Sequence, residues 1–270
     1  MKFIKNYILK KLVRGYPFIK GKSRLLGFAQ RYISGISINR DAFGNKLLLD
    51  LMNYIDSRIY LEGTYEKDEI LALKKQIQDR DIKYFVDIGA NIGLYTLTIA
   101  ACSSVKTVFS FEPDPRNYCQ LLCNVFMNNQ YNKVITHNIA LDSKQSRLKF
   151  YISRNCEYYD YGKFNTGTSS LIHNPSRHEE SIEIQTRALD EILQFSNERI
   201  AIKIDVEGFE YDVLLGMQQL LKTNLCIIQV ESIKKHEAKV RQLLNDLRYC
   251  ELNIVSEDKN NHLYVPKNEY

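Results

Sequence analysis

The sequence contains no long apolar stretch. No segment of its 270 residues approaches about 18 consecutive apolar residues, the length that a transmembrane helix requires. Its composition is otherwise ordinary for a globular protein, with 44% hydrophobic and 26% charged residues. We therefore expect no membrane span, and one domain that carries an N-terminal extension.

The sequence also lacks the cysteine spacings of zinc sites. Its six cysteines include Cys119 and Cys123, one helical turn apart, but no CxxC pair and no histidine at zinc-ligand spacing. A secretory signal is not supported either, because Lys10 and Lys11 interrupt any apolar core of such a peptide. We expect reduced, mostly buried thiols in a cytoplasmic protein.

Acidic residues are missing from the first 40 positions. Residues 1–40 hold ten of the 37 Lys and Arg residues and no Asp or Glu, which leaves 27 basic against 32 acidic residues beyond them. Such a basic arm suits anionic lipid, nucleic acid or an acidic partner chain. It lacks the alternating aromatic and basic face of a platform for single-stranded nucleic acid, so we expect no specific nucleic-acid partner.

The apolar residues of this arm recur at helical spacing. Ile4, Ile8 and Leu12 lie among lysines, which is compatible with an interfacial amphipathic helix and peripheral membrane contact through residues 1–40. The same pattern suits a helix that packs on its own domain or on a second subunit of a homodimer. The sequence leaves these readings open.

Beyond residue 83, near-continuous apolar runs alternate with helical patterns. Runs of this kind are typical of parallel strands covered on both faces, and they occupy residues 84–88, 108–111, 134–140, 200–206 and 225–231. A helix is predicted over 66–78. The pattern indicates an α/β fold with a doubly wound, mostly parallel sheet over residues 41–270, after a basic helical extension over 1–40. Alternating segments at 147–152 and 181–186 bound an insertion (about 147–186) that we expect over the ligand crevice.

The glycine turn after the first of these strands lacks two common phosphate-binding motifs. "FVDIGANIG" (85–93) contains neither G-x-G-x-x-G nor the Lys-Ser/Thr of a P-loop, which disfavours a nicotinamide-dependent oxidoreductase. Its backbone N–H groups suit a smaller anion such as an amino-acid carboxylate. Asp87 suits a protonated amine, and Glu112, 19 residues beyond Gly93, suits a ribose diol. Carboxylate, amine and ribose together describe S-adenosylmethionine.

Four carboxylates crowd the stretch "AIKIDVEGFEYDVLLG" (201–216). Asp205 terminates one strand, Glu207 lies two residues on, and Glu231 ends the neighbouring strand. All three are therefore candidate catalytic residues at the carboxyl edge of the sheet. They can serve as a general base or substrate anchor, which we favour, or as ligands of a divalent metal. Glu210 and Asp212 are better explained by the first turn of a helix, where the helix dipole favours negative charge.

Several motifs in unbroken order, over roughly residues 45–231, resemble the FkbM-type class I methyltransferases. They are "VDIGANIGLYTL", "FEPDPRNY", "NIALDS", "GTSSL", "TRALDEI" and "IKIDVEGFEYDVLLG". The resemblance implies a Rossmann-like seven-stranded sheet and methyl transfer from S-adenosylmethionine. The usual acceptor is a hydroxyl oxygen of a sugar, a glycan or a secondary metabolite. The alternative is a catalytically silent Rossmann-like binding module with a basic arm that contacts a membrane or a polyanion.

The resemblance also implies which residues bind the cofactor. Those at the methionine end are Asp87, Gly89, Ala90, Asn91 and Gly93. The ribose end has Glu112 with the adjoining Pro113, and the adenine is bordered by Asn138, Ala140 and Leu141. Tyr65 and Glu66 close over the donor.

Overall fold

A computed structural model describes residues 2–16, 20–153, 163–173, 180–232, 234–252 and 260–269. Across these ranges, no helix is long and apolar enough to cross a membrane. The helices are α1 (Lys2–Gly15), α2 (Lys22–Tyr32), α3 (Tyr54–Glu62), α4 (Lys67–Asp79), α5 (Leu94–Ala100), α6 (Pro115–Met127), α7 (Glu210–Leu215), α8 (Gln218–Thr223) and α9 (Lys234–Asp246). The helix predicted at 66–78 is α4, displaced by one residue.

Twelve strands lie in the described part of the chain. They are β1 (Ile36–Arg40), β2 (Lys46–Asp50), β3 (Tyr84–Ile88), β4 (Thr107–Phe111), β5 (Val134–His137), β6 (Ala140–Leu141), β7 (Ser146–Ile152), β8 (Glu180–Arg187), β9 (Arg199–Ile204), β10 (Leu225–Glu231), β11 (Tyr249–Leu252) and β12 (Asn261–Pro266). Seven of them form the main sheet, in the order β11-β12-β10-β9-β3-β4-β5.

The main sheet confirms the predicted fold class. Strands β10, β9, β3, β4 and β5 run parallel, and β12 is antiparallel to both of its neighbours. Successive residues of β3 belong to different hydrophobic clusters, Phe85 to one and Val86 to the other, because side chains alternate across a sheet covered on both faces. The chain order reverses between β3 and β9, and doubly wound sheets bind ligands outside the carboxyl ends of the strands at such a point. The fold is Rossmann-like.

The basic N-terminal arm packs into the body. Val13, Ala29 and Ile33 are buried in the same hydrophobic cluster as Phe85 and Leu97. Strands β1 and β2 form an antiparallel hairpin that crosses the predicted division between residues 40 and 41. Residues 1–40 therefore contribute to the protein core as well as to its surface.

One predicted strand is wrong in its extent. The apolar run 134–140 is divided, because the chain leaves the main sheet at Asn138, whose amide donates to Glu112 O (2.8 Å) and Pro113 O (3.2 Å). After this break, β6 pairs with β8 instead. The run 200–206 likewise ends early, at Ile204, where a turn with positive φ at Glu207 and Gly208 begins.

The insertion forms a second small sheet. Its predicted alternating segments are confirmed as β7 and β8, which pair antiparallel in the order β6-β8-β7. Between them, residues 163–173 return to the body of the protein, where the buried Lys163 donates to Ile33 O (2.5 Å) and Leu51 O (2.7 Å). Residues 154–162 and 174–179 of the insertion lie outside the described residues.

The cysteines agree only partly with the expectation. The five described ones are free thiols, and Cys102 and Cys226 are buried. The pair Cys119 and Cys123 is exposed on the outer side of α6, so the prediction of mostly buried thiols is wrong for it. The helical stripe of α6 turns Leu121 and Val125 inward and leaves these two positions facing solvent.

Candidate active site

A crevice opens at the carboxyl ends of β3, β4, β9 and β10. Its empty volume, part of the open mouth included, is about 960 Å³. The short polar segment at 165–171 of the insertion lines one side of the crevice, as expected from the sequence. Eleven of the predicted residues line this space, namely Tyr65, Glu66, Gly89, Asn91, Glu112, Pro113, Ala140, Leu141, Asp205, Glu207 and Glu231. Asp87 and Ala90 line a smaller adjoining recess.

The glycine turn after β3 lies against the backbone of the turn after β9. Gly89 has a φ of 81°, and a Cβ at this position would lie 1.8 Å from Asp205 O. Only glycine permits this approach. The turn therefore brings the β3 and β9 strand ends into direct contact at the floor of the crevice.

The N–H groups of this turn have partners within the protein. Gly89 N and Ala90 N both donate to Phe111 O at 3.0 Å, Gly93 N donates to Ala90 O, and Asn91 N donates to Glu112. These four N–H groups therefore bind the protein itself, and the expectation of an anion site at this turn and the following helix N-terminus stays a prediction. The turn's free polar contribution to the crevice is instead the Asn91 side-chain oxygen, which is buried and without a hydrogen-bond partner in the described structure.

Glu112 is buried and held by two backbone donors. Its Oε2 accepts from Asn91 N at 2.7 Å and its Oε1 from Asp114 N at 2.8 Å. Burial raises the pKa of Glu112 to about 8, and the two backbone hydrogen bonds oppose this shift. A carboxylate has about four acceptor positions, so Glu112 retains capacity for a ligand hydroxyl at the edge of the crevice.

Two predicted cofactor residues lie outside the crevice lining. Gly93 packs against Leu121, whose Cδ1 would lie 2.5 Å from an added Cβ. The side chain of Asn138 is engaged by the carbonyl groups of Glu112 and Pro113. Both residues shape the loops around the site without facing the empty space.

Three carboxylates converge on one side of the crevice. Glu66, Asp205 and Glu231 each offer an oxygen atom, and these atoms all lie within 4.8 Å of one another. The sequence places Glu207 in this trio, but the structure puts Glu66 there instead. Glu66 is the residue before α4 and has a φ of 50°. Glu207 lines the crevice separately.

Lys203 lies beside the cluster and was not among the residues predicted from the sequence. Its ammonium lies 2.8 Å from Asp205 Oδ2 and 4.5 Å from the ring centroid of Tyr95, and its side chain is 5% exposed. Burial alone would lower the pKa of Lys203, but Asp205, Glu66 and Asp87 together raise it. The sequence could have indicated Lys203, because residues two apart in a strand point to the same face of the sheet. A lysine in an otherwise apolar strand, two residues before Asp205, is therefore expected beside Asp205.

A row of buried polar side chains lies on the strands next to the carboxylate cluster. Asp87, Lys203 and Gln229 are direct neighbours on three adjacent parallel strands. Asp87 Oδ2 accepts from Thr96 Oγ1 at 2.6 Å, and Gln229 Nε2 donates to the Tyr95 hydroxyl at 3.0 Å. Asp87 Oδ1 is buried and has no hydrogen-bond partner within the described residues. The floor of the site thus holds a buried ammonium group beside a buried carboxyl group.

The carboxylates of the cluster do not share one protonation state. Asp205, burial and Glu66 raise the pKa of Glu231 to about 10, so Glu231 keeps its proton at neutral pH. Burial raises the pKa of Glu66 to about 7, against the influence of Lys203. Asp205 is the member that is ion-paired with Lys203. Neighbouring carboxyl groups with separated pKa values are typical of acid and base pairs at active sites.

The two remaining carboxylates of "AIKIDVEGFEYDVLLG" belong to α7. Glu210 is buried, and its Oε1 accepts from Gly208 N at 2.7 Å, just before the helix begins. Asp212 lies two residues further along the helix and is half-buried. Neither residue lines the crevice.

Sequence comparison assigns the chain to a family. The model of the Methyltransferase FkbM domain matches residues 87–250, which run from Asp87 of β3 to Cys250 of β11 and contain the strand ends described above. The chain belongs to the FkbM methyltransferase family. The resemblance recognised from its motifs is thereby confirmed.

Two relatives share the central part of this FkbM chain. The hexuronic acid methyltransferase AglP of Haloferax volcanii is 29% identical over 170 residues, which is 62% of this chain and 63% of that protein. Methyltransferase 1 of Beauveria bassiana is 28% identical over 149 residues, 51% of this chain and 59% of that protein. The chain thus spans less than two thirds of the length of each.

Solved structures show more distant likeness. The methyltransferase FkbM of Methylobacillus flagellatus is 18% identical with a TM-score of 0.46, over 68% of this chain and 44% of that one. A human methyltransferase 10 domain containing protein is 13% identical with a TM-score of 0.48, over 84% of this chain and 91% of that one. The fold assignment depends on the strand order and on the family match.

Proposed function

We propose that this FkbM protein is an S-adenosylmethionine-dependent O-methyltransferase that acts on a hydroxyl group of a sugar, a glycan or a secondary metabolite. The observation that carries the proposal is the convergence of Glu66, Asp205 and Glu231 at the strand ends, opposite Glu112. The relative AglP, named as a hexuronic acid methyltransferase, supports a sugar acceptor.

The residues of the crevice fit the cofactor. Bound S-adenosylmethionine supplies an electrophilic methyl group on a positively charged sulfonium, and it carries an amine of the same sign. Asp87 has a buried, unpartnered oxygen next to the crevice, and Glu66 and Asp205 offer further carboxyl oxygens that can accept hydrogen bonds from the amine. Glu112 can accept hydrogen bonds from a ribose diol. Ala140 and Leu141 form an apolar wall against which the adenine ring can pack.

Asp205 is the group that we assign as the general base. A sugar hydroxyl is a weak nucleophile at neutral pH and has to lose its proton as it attacks. Asp205 Oδ faces the crevice and takes that proton, while Lys203 holds the carboxylate in position at 2.8 Å. Protonated Glu231 can donate a hydrogen bond to the acceptor oxygen. Glu207, on the same turn, anchors the acceptor.

Divalent metal assistance is the second mechanism that the geometry accommodates. The oxygen atoms of the Glu66, Asp205 and Glu231 cluster have the spacing of cation ligands. Lys203 already supplies a positive charge to Asp205, which favours the metal-free base. Methyl-transfer assays with and without a chelator separate the two mechanisms.

Calorimetry with S-adenosylhomocysteine tests the cofactor assignment. We expect saturable binding to the full chain, and lack of binding at millimolar ligand would contradict the proposal. A screen of hexuronic acids and glycans with a methyl-labelled donor then seeks the acceptor. Asp205→Asn is expected to retain donor binding within a few-fold and to lose turnover by about 10²–10⁴-fold, the usual contribution of a general base.

The same experiments separate the catalytically silent alternative. Donor binding by the wild type without methyl transfer to any acceptor in the screen would favour a binding module. Equal turnover by Asp205→Asn and the wild type would reject Asp205 as the base while leaving the cofactor assignment intact.

A further inference from the structure

One face of α1 is apolar and exposed, although the helix packs firmly by its other side. Asn6, Leu9 and Val13 are turned inward, and the Asn6 amide donates to Ser34 O at 3.0 Å. On the opposite side, the large apolar side chains are between 51% and 79% exposed, namely Phe3, Ile4, Tyr7, Ile8 and Leu12. We call these five residues the α1 face.

The α1 face is not required by the fold of the chain. The helix is held by its inward residues and by Arg14, which donates to Leu61 O (3.2 Å) and Tyr60 O (3.1 Å) on α3. Large contiguous apolar patches of this kind mark protein or membrane contact sites. The predicted stripe of Ile4, Ile8 and Leu12 therefore exists, but it points away from the body of the protein.

The apolar surface continues from α1 onto α2. Phe28 and Tyr32 of α2 are exposed, and their rings pack in a tilted arrangement with centroids 4.8 Å apart. Lys5 of α1 bridges the two helices, with its ammonium 5.2 Å from the centroid of the Tyr32 ring. The patch is thus wider than one helix, and it has aromatic as well as aliphatic members.

The charge around the patch selects its occupant. Residues 1–40 carry ten basic and no acidic residues. Lys11 lies within the α1 face, 5.2 Å from the Tyr7 ring, and Lys5 and Lys10 flank it. A second copy of this chain would bring lysine against lysine. An anionic lipid surface complements both the charge and the apolar side chains.

We propose that the α1 face docks this protein on the surface of an anionic lipid bilayer. At about 1.5 Å per residue, the 14 residues of α1 extend about 21 Å, so the helix lies in the interface and does not span the membrane. Its apolar side chains enter the headgroup boundary while the lysines bind lipid phosphates. The proposal is independent of the methyl-transfer chemistry.

Docking would also hold the crevice near the bilayer. α1 packs on α3, and Ile55 of α3 lines the crevice. Arg14 and the hydrogen bond from Lys10 Nζ to Asn39 Oδ1 (2.5 Å) fix the helix to the body. The protein therefore binds the surface as one unit and not through a loose tail.

Vesicle co-sedimentation of the full chain tests the proposal. The probes are vesicles of phosphatidylcholine with and without phosphatidylserine. We expect the wild type to bind only the vesicles that contain phosphatidylserine, and to release them at high salt. The variant Ile8→Glu/Leu12→Glu is expected to lose binding by about tenfold or more, because two inserted apolar groups become charged.

The matched control is Leu71→Glu/Phe126→Glu. These residues are 43% and 72% exposed on α4 and α6, so the control makes the same change in net charge and exposed apolar surface away from α1. We expect it to bind vesicles as the wild type does. Far-ultraviolet circular dichroism and a denaturation midpoint equal to that of the wild type show that each variant is folded.

Four results of the vesicle experiment would overturn the proposal. They are a wild type that stays in the supernatant with both vesicles, equal binding to neutral vesicles, an equal loss in the control variant, and unchanged binding of a folded Ile8→Glu/Leu12→Glu variant. Light scattering after size-exclusion chromatography tests whether the α1 face instead binds a second copy of this chain. A wild-type dimer that Ile8→Glu/Leu12→Glu converts into a monomer would assign the α1 face to a second copy instead.

Discussion

Single side chains at the carboxyl edge of the sheet already have protein partners that fix their direction. Glu112 is bound by the N–H groups of Asn91 and Asp114, and Asp205 by the ammonium of Lys203. Side chains oriented in this way lose little further entropy when a ligand arrives. The substitutions below test each role separately.

Replacing Glu112 with glutamine should weaken donor binding. The side chain keeps its size, but above pH 8, where the Glu112 carboxyl group is ionised, the substitution removes the charge that strengthens hydrogen bonds from a ribose diol. Hydrogen bonds to charged groups contribute about 1.5–3 kcal/mol, so we expect the S-adenosylhomocysteine Kd to rise about 10- to 100-fold by calorimetry. The exposed Glu191→Gln serves as control. An unchanged Kd in a folded Glu112→Gln variant would argue against the ribose contact.

The raised pKa of Glu231 predicts a pH-dependent stability of the ligand-free protein. Its folded pKa of about 10 lies above the ordinary 4.5, so the folded state holds more protons than the unfolded state between these values. The stabilising contribution is complete below about pH 4.5, and it is lost as pH rises through about 10. We expect Glu231→Gln to gain stability relative to wild type with rising pH, on the order of 1 kcal/mol or more after screening.

Urea denaturation between pH 6 and pH 10 measures this difference. The difference between the two denaturation midpoints should widen steadily with pH. Two parallel curves would show that Glu231 does not retain its proton in the folded protein, and the proposed division of roles between Asp205 and Glu231 would fail with it.

At the level of elements, the turns after β3 and β9 depend on one close contact. Gly89 has a positive φ and no room for a Cβ beside Asp205 O, whereas Gly44 has a similar φ of 92° with open space around it. Alanine substitutions at these two glycines therefore distinguish two free-energy costs, that of the backbone conformation and that of the clash with Asp205 O.

Gly89→Ala should therefore be more damaging than Gly44→Ala. Alanine in the left-handed region costs about 1–2 kcal/mol, which is all that we expect at Gly44. At Gly89 the clash adds about 1–3 kcal/mol of overpacking and moves Asp205, so donor binding should fall as well. Urea unfolding and calorimetry measure the two effects. Equal losses in the two variants would mean that the β3 and β9 turns can move apart freely.

Element boundaries also show where local pattern was insufficient. The run 134–140 is apolar enough for one strand, yet it is divided at Asn138 by hydrogen bonds to Glu112 and Pro113, more than 20 residues earlier. No periodicity within 134–140 contains that information. By contrast, β3 and β10 coincide with their apolar runs, because buried parallel strands require continuous apolar sequence.

At the level of the whole molecule, the basic arm is part of the core. Leu9, Val13, Leu26 and Ile33 are buried in the cluster that also contains β3 and α5 side chains. Burial of each such side chain contributes about 1.5–3 kcal/mol, against a total stability of about 5–15 kcal/mol for a typical protein.

Deletion of residues 1–40 should consequently destabilise the remaining chain strongly. It also removes β1, the partner of β2. We expect a large fall in the urea midpoint, or loss of cooperative unfolding, by circular dichroism. Ile8→Glu/Leu12→Glu, which changes only exposed side chains of the arm, should keep the wild-type midpoint. A truncated protein as stable as the full chain would show that residues 1–40 form a separate extension and are not part of the core.

The sequence by itself determined the strand and helix alternation, the family and most of the residues around the crevice. Apolar periodicity and the order of strand-end motifs report burial and loop position directly, which is why Asp87, Glu112, Asp205 and Glu231 could be named in advance. Lys203 could also have been found, since it shares the face of Asp205 two residues away.

Only the tertiary structure decided which of these groups meet. Glu66 joins Asp205 and Glu231 from a distant turn, and Glu207 stands apart. The N–H groups of Gly89 and Ala90 bind Phe111 O, and that of Asn91 binds Glu112. It also decided that Ile4, Ile8 and Leu12 face outward while Leu9 and Val13 face the core. The physical reason is the same in each case. Contacts between residues far apart in the chain depend on how the helices and strands pack together. The spacing of residues within one segment does not determine that packing.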